Sequence, residues 1–577
     1  IGHDSFKSAV DACNSNISIG VQSMRYVDRG SNGSATVNGN VAVGYNALAG
    51  GDFVSADKDL VGNIAIGKNT LDATAANAQT GTIAIGHEAL TSLTSGAGNL
   101  AIGYEAMKVH TTGARNIVIG YGAMDDTDAG STSLGSLDNI FIGYDAGGGT
   151  WADAASSYNV GIGNYVMDSA LNGAINNVAI GHTALSAVTE GDRNVAIGHG
   201  AQLYGTTAAS NTAIGNSALY YNVTGTNNVA IGRDSMGGAS GQSHSNNTAV
   251  GYASLMSITT GYQNVVIGTY AGDAITTGQN NTALGYGALS AEDTGTRNTA
   301  LGNEALTALN YDGAGYNVGV GHRSGYALTT GVYNTLLGSF AGYTLTTGLE
   351  NTALGYASLY HNATGNYNTA IGRGAGARFL NAESTALGYY AGHYASGSQN
   401  TFVGALAGQG GTTGAPYSSG QHNTALGYKA LYAFTTGNYN VAIGREALPA
   451  STSGGSSVAI GYAAGLSITT SNLNVLIGYQ AGAQQTTADN NTAVGSYASQ
   501  HNYKGTEVTT LGYRAGRYAS GSYNTFVGSQ AGLGGTTSAP YSSGGQNVAI
   551  GYKAMQAFTS GHENTVMGYE AAYSLTS

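Results

Sequence analysis

One short pattern of polar and apolar positions runs through the whole chain: an asparagine, a β-branched or aliphatic residue, a small residue, an aliphatic residue and a glycine. It reads NVAVG from Asn40, NLAIG from Asn99 and NTALG from Asn281. Counted by its glycine, the pattern occurs 32 times, and 17 of the 31 intervals are 17 residues long. Self-similarity at a fixed short period predicts stacked, equivalent coils that each contact only their neighbours.

The five-residue pattern predicts a short β-strand that ends at the glycine, because its side chains alternate between two faces. The second half of each repeat reads Ala-Leu or Ala-Gly, then polar residues and often Thr-Thr-Gly, and it predicts a weaker strand followed by a turn. A period of 17 is too short for two helices and a turn. The sequence therefore predicts an all-β parallel β-solenoid of about 31 to 32 coils, as one continuous array over residues 1–577.

The alternation also assigns faces to the strand. Residues one and three before the glycine, such as Val41 and Val43, are predicted to share a face and to fill the interior, so an aspartate at Ile197 would be buried there. On the opposite face, alanine stands in 19 of 31 copies and no residue is charged. We expect this dry alanine face to be covered by identical chains, with three parallel chains around one axis. The alternative is a single solenoid that exposes its alanines.

Two further features of the repeat have structural interpretations. Asparagine opens 27 of the 31 copies, and stacked amides are predicted to hydrogen-bond from coil to coil. Two long intervals carry insertions, within residues 405–426 and 529–550, that contain Pro416 and Pro540. Since proline cannot donate a backbone hydrogen bond to a strand ladder, both insertions are predicted to be lateral loops.

Composition narrows the function classes. The 19 Lys and Arg against 31 Asp and Glu give a net charge of −12, and no basic cluster exists, so no nucleic-acid partner is predicted. No run of 18 apolar residues is present, so no membrane insertion is predicted for this segment. The lone Cys13 has no internal disulfide partner. Because the chain begins and ends inside repeats, we expect it to be a segment of a longer chain.

No catalytic, metal or cofactor site is predicted, and we expect no enzymatic activity. The acidic turn of Asp125, Asp126 and Asp128 is interpreted as a chance cluster, and His182 and His199 are expected as surface residues of adjacent coils. No Ser/His/Asp or Cys/His set stands out from the repeat. A polysaccharide-degrading solenoid would need paired carboxylates in a groove, which nothing in the sequence marks.

The position directly after the repeat glycine is the candidate binding surface. Stacked aromatic rings with polar tips suit sugars or other surfaces, although such a ladder could also only stiffen the edge of the coils. Tyrosine occupies this position in 14 of 32 copies. These residues are Tyr45, Tyr104, Tyr121, Tyr144, Tyr252, Tyr286, Tyr356, Tyr389, Tyr428, Tyr462, Tyr479, Tyr513, Tyr552 and Tyr569.

The repeated NTAIG and NVAIG cores resemble the head repeat of YadA-like trimeric autotransporter adhesins. The longer form, GYxAL followed by TTGxxNTAIGY, is similar to repeat arrays of phage tail-fibre and bacterial surface-fibre proteins. The resemblance covers essentially the whole chain. It implies a left-handed parallel β-roll that assembles as a homotrimer and acts in attachment to a host or surface. The 17-residue period departs from the shorter coil of the adhesin heads.

Together these features predict a structural fibre or adhesin that forms a stiff extended rod, located outside the cell, at the cell surface or on a virion. Its expected partners are copies of itself, in a homotrimer or filament, and a cell-surface glycan or host receptor. One alternative is an ice- or mineral-binding solenoid, motivated by the recurring Thr-Thr-Gly. Another is a structural component of an extracellular filament.

Overall fold

The structure is a computed structural model that describes residues 1–6, 13–26, 36–50, 59–74, 78–127, 135–411, 417–535 and 541–575. It divides into two compact units, Ile1–Gly295 and Thr296–Ser577. Both units are all-β, and the described residues contain no α-helix. None of the described segments is therefore a helix that could cross a membrane.

Most strands are three residues long and coincide with the core of the repeat. In the first unit the strands are β1 Cys13–Asn14, β2 Ile17–Ile19, β3 Val37–Asn38, β4 Val41–Val43, β5 Leu60–Val61, β6 Ile64–Ile66, β7 Gln79–Thr80, β8 Ile83–Ile85, β9 Leu100–Ile102, β10 Ile117–Ile119, β11 Ile140–Ile142, β12 Val160–Ile162, β13 Val178–Ile180, β14 Val195–Ile197, β15 Thr212–Ile214, β16 Val229–Ile231, β17 Thr248–Val250, β18 Val265–Ile267 and β19 Thr282–Leu284.

In the second unit the strands are β20 Thr299–Leu301, β21 Val318–Val320, β22 Thr335–Leu337, β23 Thr352–Leu354, β24 Thr369–Ile371, β25 Thr385–Leu387, β26 Thr401–Val403, β27 Thr424–Leu426, β28 Val441–Ile443, β29 Val458–Ile460, β30 Val475–Ile477, β31 Thr492–Val494, β32 Thr509–Leu511, β33 Thr525–Val527, β34 Val548–Ile550, β35 Ala557–Phe558, β36 Thr565–Met567 and β37 Ser574–Leu575.

Within each unit the three-residue strands form one parallel ladder in the register of the repeat. Val195 pairs with Thr212, and Ile197 pairs with Ile214, one period further along the chain. Every residue of a coil therefore lies next to the residue with the same repeat position in the coils before and after it. The predicted parallel β-solenoid is confirmed, and the predicted number of coils is correct to within a few turns, while the single array over residues 1–577 stays a prediction.

The predicted face assignment is wrong. The middle residue of the strand, alanine in most coils, is fully buried, as at Ala42 and Ala196. Its neighbours Val41 and Val43 are only half-buried and point outward. Ile197 likewise lies on the outside, so an aspartate there would not enter the interior. The residues one and three before each repeat glycine thus form an outer stripe, and the alanines line the interior.

The small width of the coil explains why the alanine face is inside. The opposite side of the coil lies so close that the middle residue of the strand contacts it directly, and there is room for only one large side chain between them. Where this residue is large, as at Phe141 or Leu476, the residue four after the repeat glycine is a glycine. A Cβ atom on Gly147 would lie 3.0 Å from the Phe141 ring, and one on Gly482 would lie 2.8 Å from a Leu476 methyl carbon. Interiors packed at crystal density force such large-for-small exchanges.

The predicted weaker strand is absent from most coils. Short second strands occur only in the sheet of β1, β3, β5 and β7 and in the pair of β35 and β37. Elsewhere among the described residues the chain closes the coil by left-handed turns, as at Ala253 and Leu255, whose φ angles are 52° and 53°. The N–H groups of these two residues point in opposite directions along the stack, to carbonyls of the preceding and following coils. These hydrogen bonds offset the cost of positive φ, about 1 kcal/mol per residue.

The predicted asparagine ladder is confirmed. The Asn317 Oδ1 accepts hydrogen bonds from the backbone N–H and the Nδ2 of Asn334, at 3.0 and 3.1 Å. The Asn334 Nδ2 also donates to the Gly348 carbonyl at 2.9 Å. The Asn334 Oδ1 in turn accepts from the backbone N–H and the Nδ2 of Asn351. All three asparagines are fully buried. One buried side chain thus joins its own coil to the coils on both sides.

The repeat position requires glycine for a steric reason. Gly198 has a φ of 136°, and an added Cβ would overlap the carbonyl oxygen of Gly215, the repeat glycine of the next coil. The same contact recurs at most other repeat glycines of the two ladders, for example between Gly338 and Gly355. A side chain at this position would force adjacent coils apart.

Both insertions leave the ladder intact. Thr401 pairs with Thr424 across the first insertion, and Thr525 pairs with Val548 across the second. The first insertion returns to the solenoid at Ser418, which forms a β-bridge to Ala395. The second returns at the equivalent residue, Ser542. Residues 412–416 and 536–540, which include Pro416 and Pro540, lie outside the described residues. The direction in which the two loops leave the coils stays a prediction.

Removing one side chain from the asparagine ladder should destabilise the coils around it. Asn334→Ala leaves the Gly348 carbonyl and the Asn351 amide without their buried partners, so we expect a loss of about 2 to 4 kcal/mol. Amide hydrogen exchange in β22 and β23 measures it. Asn334→Ser should cost less, because a serine already occupies the asparagine position at Ser457. There its hydroxyl accepts the N–H of Asn474 in the next coil at 3.2 Å. Equal exchange rates in wild type and Asn334→Ala would contradict the role of the ladder.

The large-for-small exchange predicts a compensating pair of substitutions. Leu476→Ala should cost about 2 to 5 kcal/mol, because it leaves a cavity in a buried position. Adding Gly482→Leu should recover more than half of this loss, since leucine adopts the same left-handed turn at Leu448, with a φ of 47°. Hydrogen exchange in β30 distinguishes the two variants. Additive destabilisation would show that the two positions do not share one space.

Two buried histidines predict a loss of stability in acid. Burial lowers the pKa of His110 and of His244 to about 4. An unfolded histidine has a pKa of 6.5, so the unfolded state binds protons first, and stability falls as the pH drops from 6.5 to about 4. We expect a loss of up to about 3 kcal/mol per residue. The His110→Gln and His244→Gln double variant should flatten the pH dependence of thermal unfolding over this range.

Candidate functional site

The tyrosines after the repeat glycines lie on the surface, as their repeat position predicts. All 14 are exposed, from 36% for Tyr252 to 73% for Tyr569. Their position follows the outer end of each strand, where the repeat glycine turns the chain. Because every coil repeats this geometry, the residues one after the glycine form a ring column along each unit.

The ring column contains stacked runs. Its longest run comprises His87, Tyr104, Tyr121 and Tyr144, whose neighbouring ring centres are 5.1, 4.8 and 5.5 Å apart with interplanar angles of 16° or less. Shorter stacks join other members, such as the pair of Tyr462 and Tyr479 at 5.1 Å. Within these stacked runs the rings of adjacent coils are thus held nearly parallel.

Basic residues interrupt the column and rest on its rings. The Arg445 guanidinium lies 5.7 Å from the ring centre of Tyr428 and 5.8 Å from that of Tyr462, in the coils on either side. Arginine over an aromatic face is a favourable cation–π contact, worth about 0.5 to 1 kcal/mol at an exposed site. Arginine can therefore replace a ring in the column without breaking its continuity.

Neighbouring carboxylates interact with two phenols of the longest run. The Glu105 side chain, through a hydrogen bond, raises the pKa of Tyr104. The negative charge of Asp145 raises the pKa of Tyr144.

Two other sets of stacked rings are not among the 14 predicted positions. One lies five residues after the repeat glycine, at Tyr326, Tyr343 and Tyr360, and its rings stack at 5.3 and 5.1 Å. The other lies five residues before the glycine and includes Tyr316 and Tyr333, whose rings stack at 5.3 Å. A count of tyrosine at every offset from the glycine would have found both sets.

The structure brings His182 and His199 into adjacent coils, as predicted, and their rings stack at 5.2 Å. His87, Glu88 and Glu105 also lie close enough together to hold a metal ion. The Lys108 Nζ lies 2.8 Å from the Glu88 carboxylate and 3.1 Å from that of Glu105. The lysine therefore already bridges this carboxylate pair and balances one of its two charges.

The predicted acidic turn is only partly described, since Asp128 lies outside the described residues. Burial, with a further contribution from the Asp145 charge, raises the pKa of Asp125 to about 6. The Asp126 Oδ2 accepts a hydrogen bond from the Thr150 Oγ1 at 2.5 Å. Asp126 thus contributes to packing between coils.

The arrangement offers extended contact surfaces. Its exposed elements are rows of neutral phenols, cations resting on rings and the aliphatic outer stripe, all repeated at the spacing of the coils. No known protein-family model matches the sequence, and no curated protein matches it.

Proposed function

We propose that the chain is a non-enzymatic structural fibre protein whose coils pack side by side with copies of the same chain. In this proposal the assembly forms a stiff rod outside the cell, at the cell surface or on a virion, and serves attachment. A trimer of left-handed rolls, as in the adhesin heads that the repeat resembles, is the form we favour.

The outer stripe is the observation that carries self-association. Its residues one and three before the repeat glycine are Ile, Val, Leu, Thr or Met in every copy, and none is charged. They are partly exposed in each unit, for example Ile180 at 36% in the first unit and Leu426 at 46% in the second. A long uncharged aliphatic strip on a protein surface indicates an interaction site.

The area of the stripe is large enough for a stable interface. A fully exposed aliphatic side chain offers about 100 Å² of apolar area. At their observed exposures the two stripe residues of a coil contribute about 60 Å² together. The fifteen three-residue strands of the first unit alone then supply about 900 Å², and a standard interface buries about 800 Å² per partner.

The ring columns support a role in attachment. Stacked phenols present flat apolar faces together with hydroxyl groups, the combination that suits a sugar or a protein surface. Because each contact repeats from coil to coil, weak binding at one ring adds to weak binding at the next. A cell-surface glycan or host receptor is the partner class that we propose for this surface.

One observation favours an ice- or mineral-binding alternative. Threonine stands three residues before the repeat glycine in six consecutive strands, β22 to β27, and these threonines pair in register. The Thr-Thr-Gly segment supports it less, because the first hydroxyl is engaged, as where Thr259 Oγ1 donates to the Thr276 carbonyl. Thermal hysteresis of freezing in the presence of the chain would favour this alternative.

Self-association through the stripe is tested by placing charges on it. We expect the wild-type chain to have a native mass of about three times 57.8 kDa. The triple variant Ile180→Asp, Ile231→Asp and Leu284→Asp should dissociate to the monomer, because the interface would bury unpaired charges. Native mass spectrometry and sedimentation velocity measure the change.

A matched variant places the same number of charges elsewhere. Thr207→Asp, Thr260→Asp and Thr277→Asp alter exposed residues away from the stripe and should leave the mass unchanged. Since the stripe faces outward, both variants should keep the circular dichroism spectrum of the wild type. A monomeric wild type, or a stripe variant that stays oligomeric, would overturn the proposal.

A further inference from the structure

A gap interrupts one of the stacked tyrosine sets in the second unit. The rings of Tyr326, Tyr343 and Tyr360, five residues after their repeat glycines, stack on successive coils. The next coil has Ala377 at this position, and the coil after it has His393. The stack therefore lacks one ring, with an aromatic side chain on each side of the missing layer.

The gap is a cavity of about 220 Å³, which we call the ring-gap pocket. Gly374 and Ala377 are buried beneath it, and Tyr356, Tyr360 and Tyr390 also line it. A Cβ on Gly374 would lie about 3.1 Å from the His393 Nδ1 and would overlap the Tyr390 ring. Pockets for drug-sized ligands measure about 300 to 1,000 Å³, so this one fits a single six-membered ring with one substituent.

The rim of the pocket is cationic. The Arg373 guanidinium lies 5.7 Å from the Tyr356 ring centre and 5.8 Å from that of Tyr390. Arg378 also lines the pocket, and its guanidinium lies 4.1 Å from the Tyr417 ring centre. No Asp or Glu lines the pocket, and within the described part of the chain neither arginine forms an ion pair. Two unneutralised arginines at one cavity stand out in a chain of net charge −12.

Two histidines add hydrogen-bonding groups to the pocket. The His393 Nδ1 lies 2.8 Å from the Gly374 carbonyl and must donate to it, which leaves the Nε2 as an acceptor. Burial lowers the pKa of His393 and of His361, and the Arg378 charge lowers both further. Both rings are therefore neutral at physiological pH, and the positive charge of the site comes from the arginines.

A higher-order repeat, in which YASGSQNTFVG from Tyr394 recurs as YASGSYNTFVG from Tyr518, shows how the same place is otherwise filled. Gly374 and Ala377 stand two and five residues after their repeat glycine, and the corresponding coil of the second copy has Tyr497 and Gln500 at these two positions. Two arginines are present there as well, but the guanidinium groups of Arg514 and Arg517 lie over the Tyr497 ring, at 5.8 and 4.7 Å. The pocket thus arises where two small residues replace a tyrosine and a glutamine.

We propose that the ring-gap pocket binds an anionic sugar residue, a pyranose that carries one carboxylate or sulfate group. The apolar face of the sugar would occupy the missing layer next to Tyr360, and its anionic group would contact Arg373 and Arg378, whose planar guanidinium groups match such anions bidentately. The sugar hydroxyl groups would form hydrogen bonds with the neutral rings of His361 and His393. This site goes beyond the proposed fibre and does not depend on it, because one chain supplies every lining residue.

Titration of the full-length chain with three monosaccharides tests the proposal. Glucuronate, glucose 6-sulfate and glucose are compared by saturation-transfer NMR and calorimetry. Glucuronate or glucose 6-sulfate should bind at least tenfold more tightly than glucose. The difference in affinity between glucuronate and glucose 6-sulfate shows which anionic group the pocket prefers. Glucose binding as tightly as both anionic sugars, or inorganic sulfate binding as tightly as either, would overturn the proposal.

Variants locate the binding in the pocket. Arg373→Gln and Arg378→Gln should each weaken binding of the anionic sugar at least tenfold. Arg297→Gln is the matched control, because the Arg297 guanidinium also lies over a ring, 5.4 Å from the Tyr316 ring centre, outside both the pocket and the ring column, and it should change affinity less than twofold. An equal loss in the Arg373 and Arg297 variants would refute the pocket.

Filling the gap gives an independent test. Ala377→Tyr supplies the missing ring at a position where three preceding coils already carry tyrosine, so the coil should accept it, and binding should be abolished. Ala377→Met, a smaller filler, serves if the tyrosine variant does not keep the wild-type circular dichroism. Retained binding in a folded filled variant would overturn the proposal.

Discussion

In each unit the solenoid depends on a row of buried asparagine side chains. The Asn334 amide, for example, accepts from Asn351 and donates to the Gly348 carbonyl, both in the next coil, so its hydrogen bonds fix the vertical register between coils. A buried amide without these partners would destabilise the chain by several kcal/mol. The row therefore holds every strand at the same height on its neighbour, and the repeat glycines allow the close approach that this requires.

The ladder also shows how much variation it tolerates. At Ser457 the backbone N–H donates to the Asn440 Oδ1 and the hydroxyl accepts from the Asn474 N–H, so the row continues. Val508 donates its backbone N–H to Asn491 but has no side-chain acceptor for the following coil. The Thr82 hydroxyl also lacks a hydrogen-bond partner. Such interruptions among many intact steps are tolerable, because each coil is also joined to its neighbours by strand and turn hydrogen bonds.

The fixed spacing brings equivalent surface residues of adjacent coils into contact. Side chains at one repeat position lie about one coil apart, close enough for aromatic rings to stack and for arginines to rest on them. In such an ordered surface, specificity arises at departures from the pattern. The ring-gap pocket is one departure: Gly374 and Ala377 leave space that the corresponding coil fills with Tyr497 and Gln500.

Much of the candidate surface could be predicted from the sequence, because a position that follows the strand-ending glycine is necessarily outside a closed coil. The tyrosines from Tyr45 to Tyr569 are exposed for this reason. The pocket could not be predicted in the same way. It needs Tyr360, Ala377 and His393 to be neighbours along the stack, and that relation emerges only when the turn conformations are known.

The sequence by itself determined the strand, the period, the register and the asparagine row, since each is a local or strictly repeated property of the chain. Only the tertiary structure decided which strand face is inside. Alternation shows that Val41 and Val43 share a face, yet both faces are free of charge, so hydrophobicity does not choose between them. The narrowness of the coil decides between the two faces. Left-handed turns at residues such as Leu255 bring the opposite wall so close that alanine fits inside and the larger aliphatic residues remain outside. Leucine does not favour this backbone conformation, so the residue type does not predict the turn.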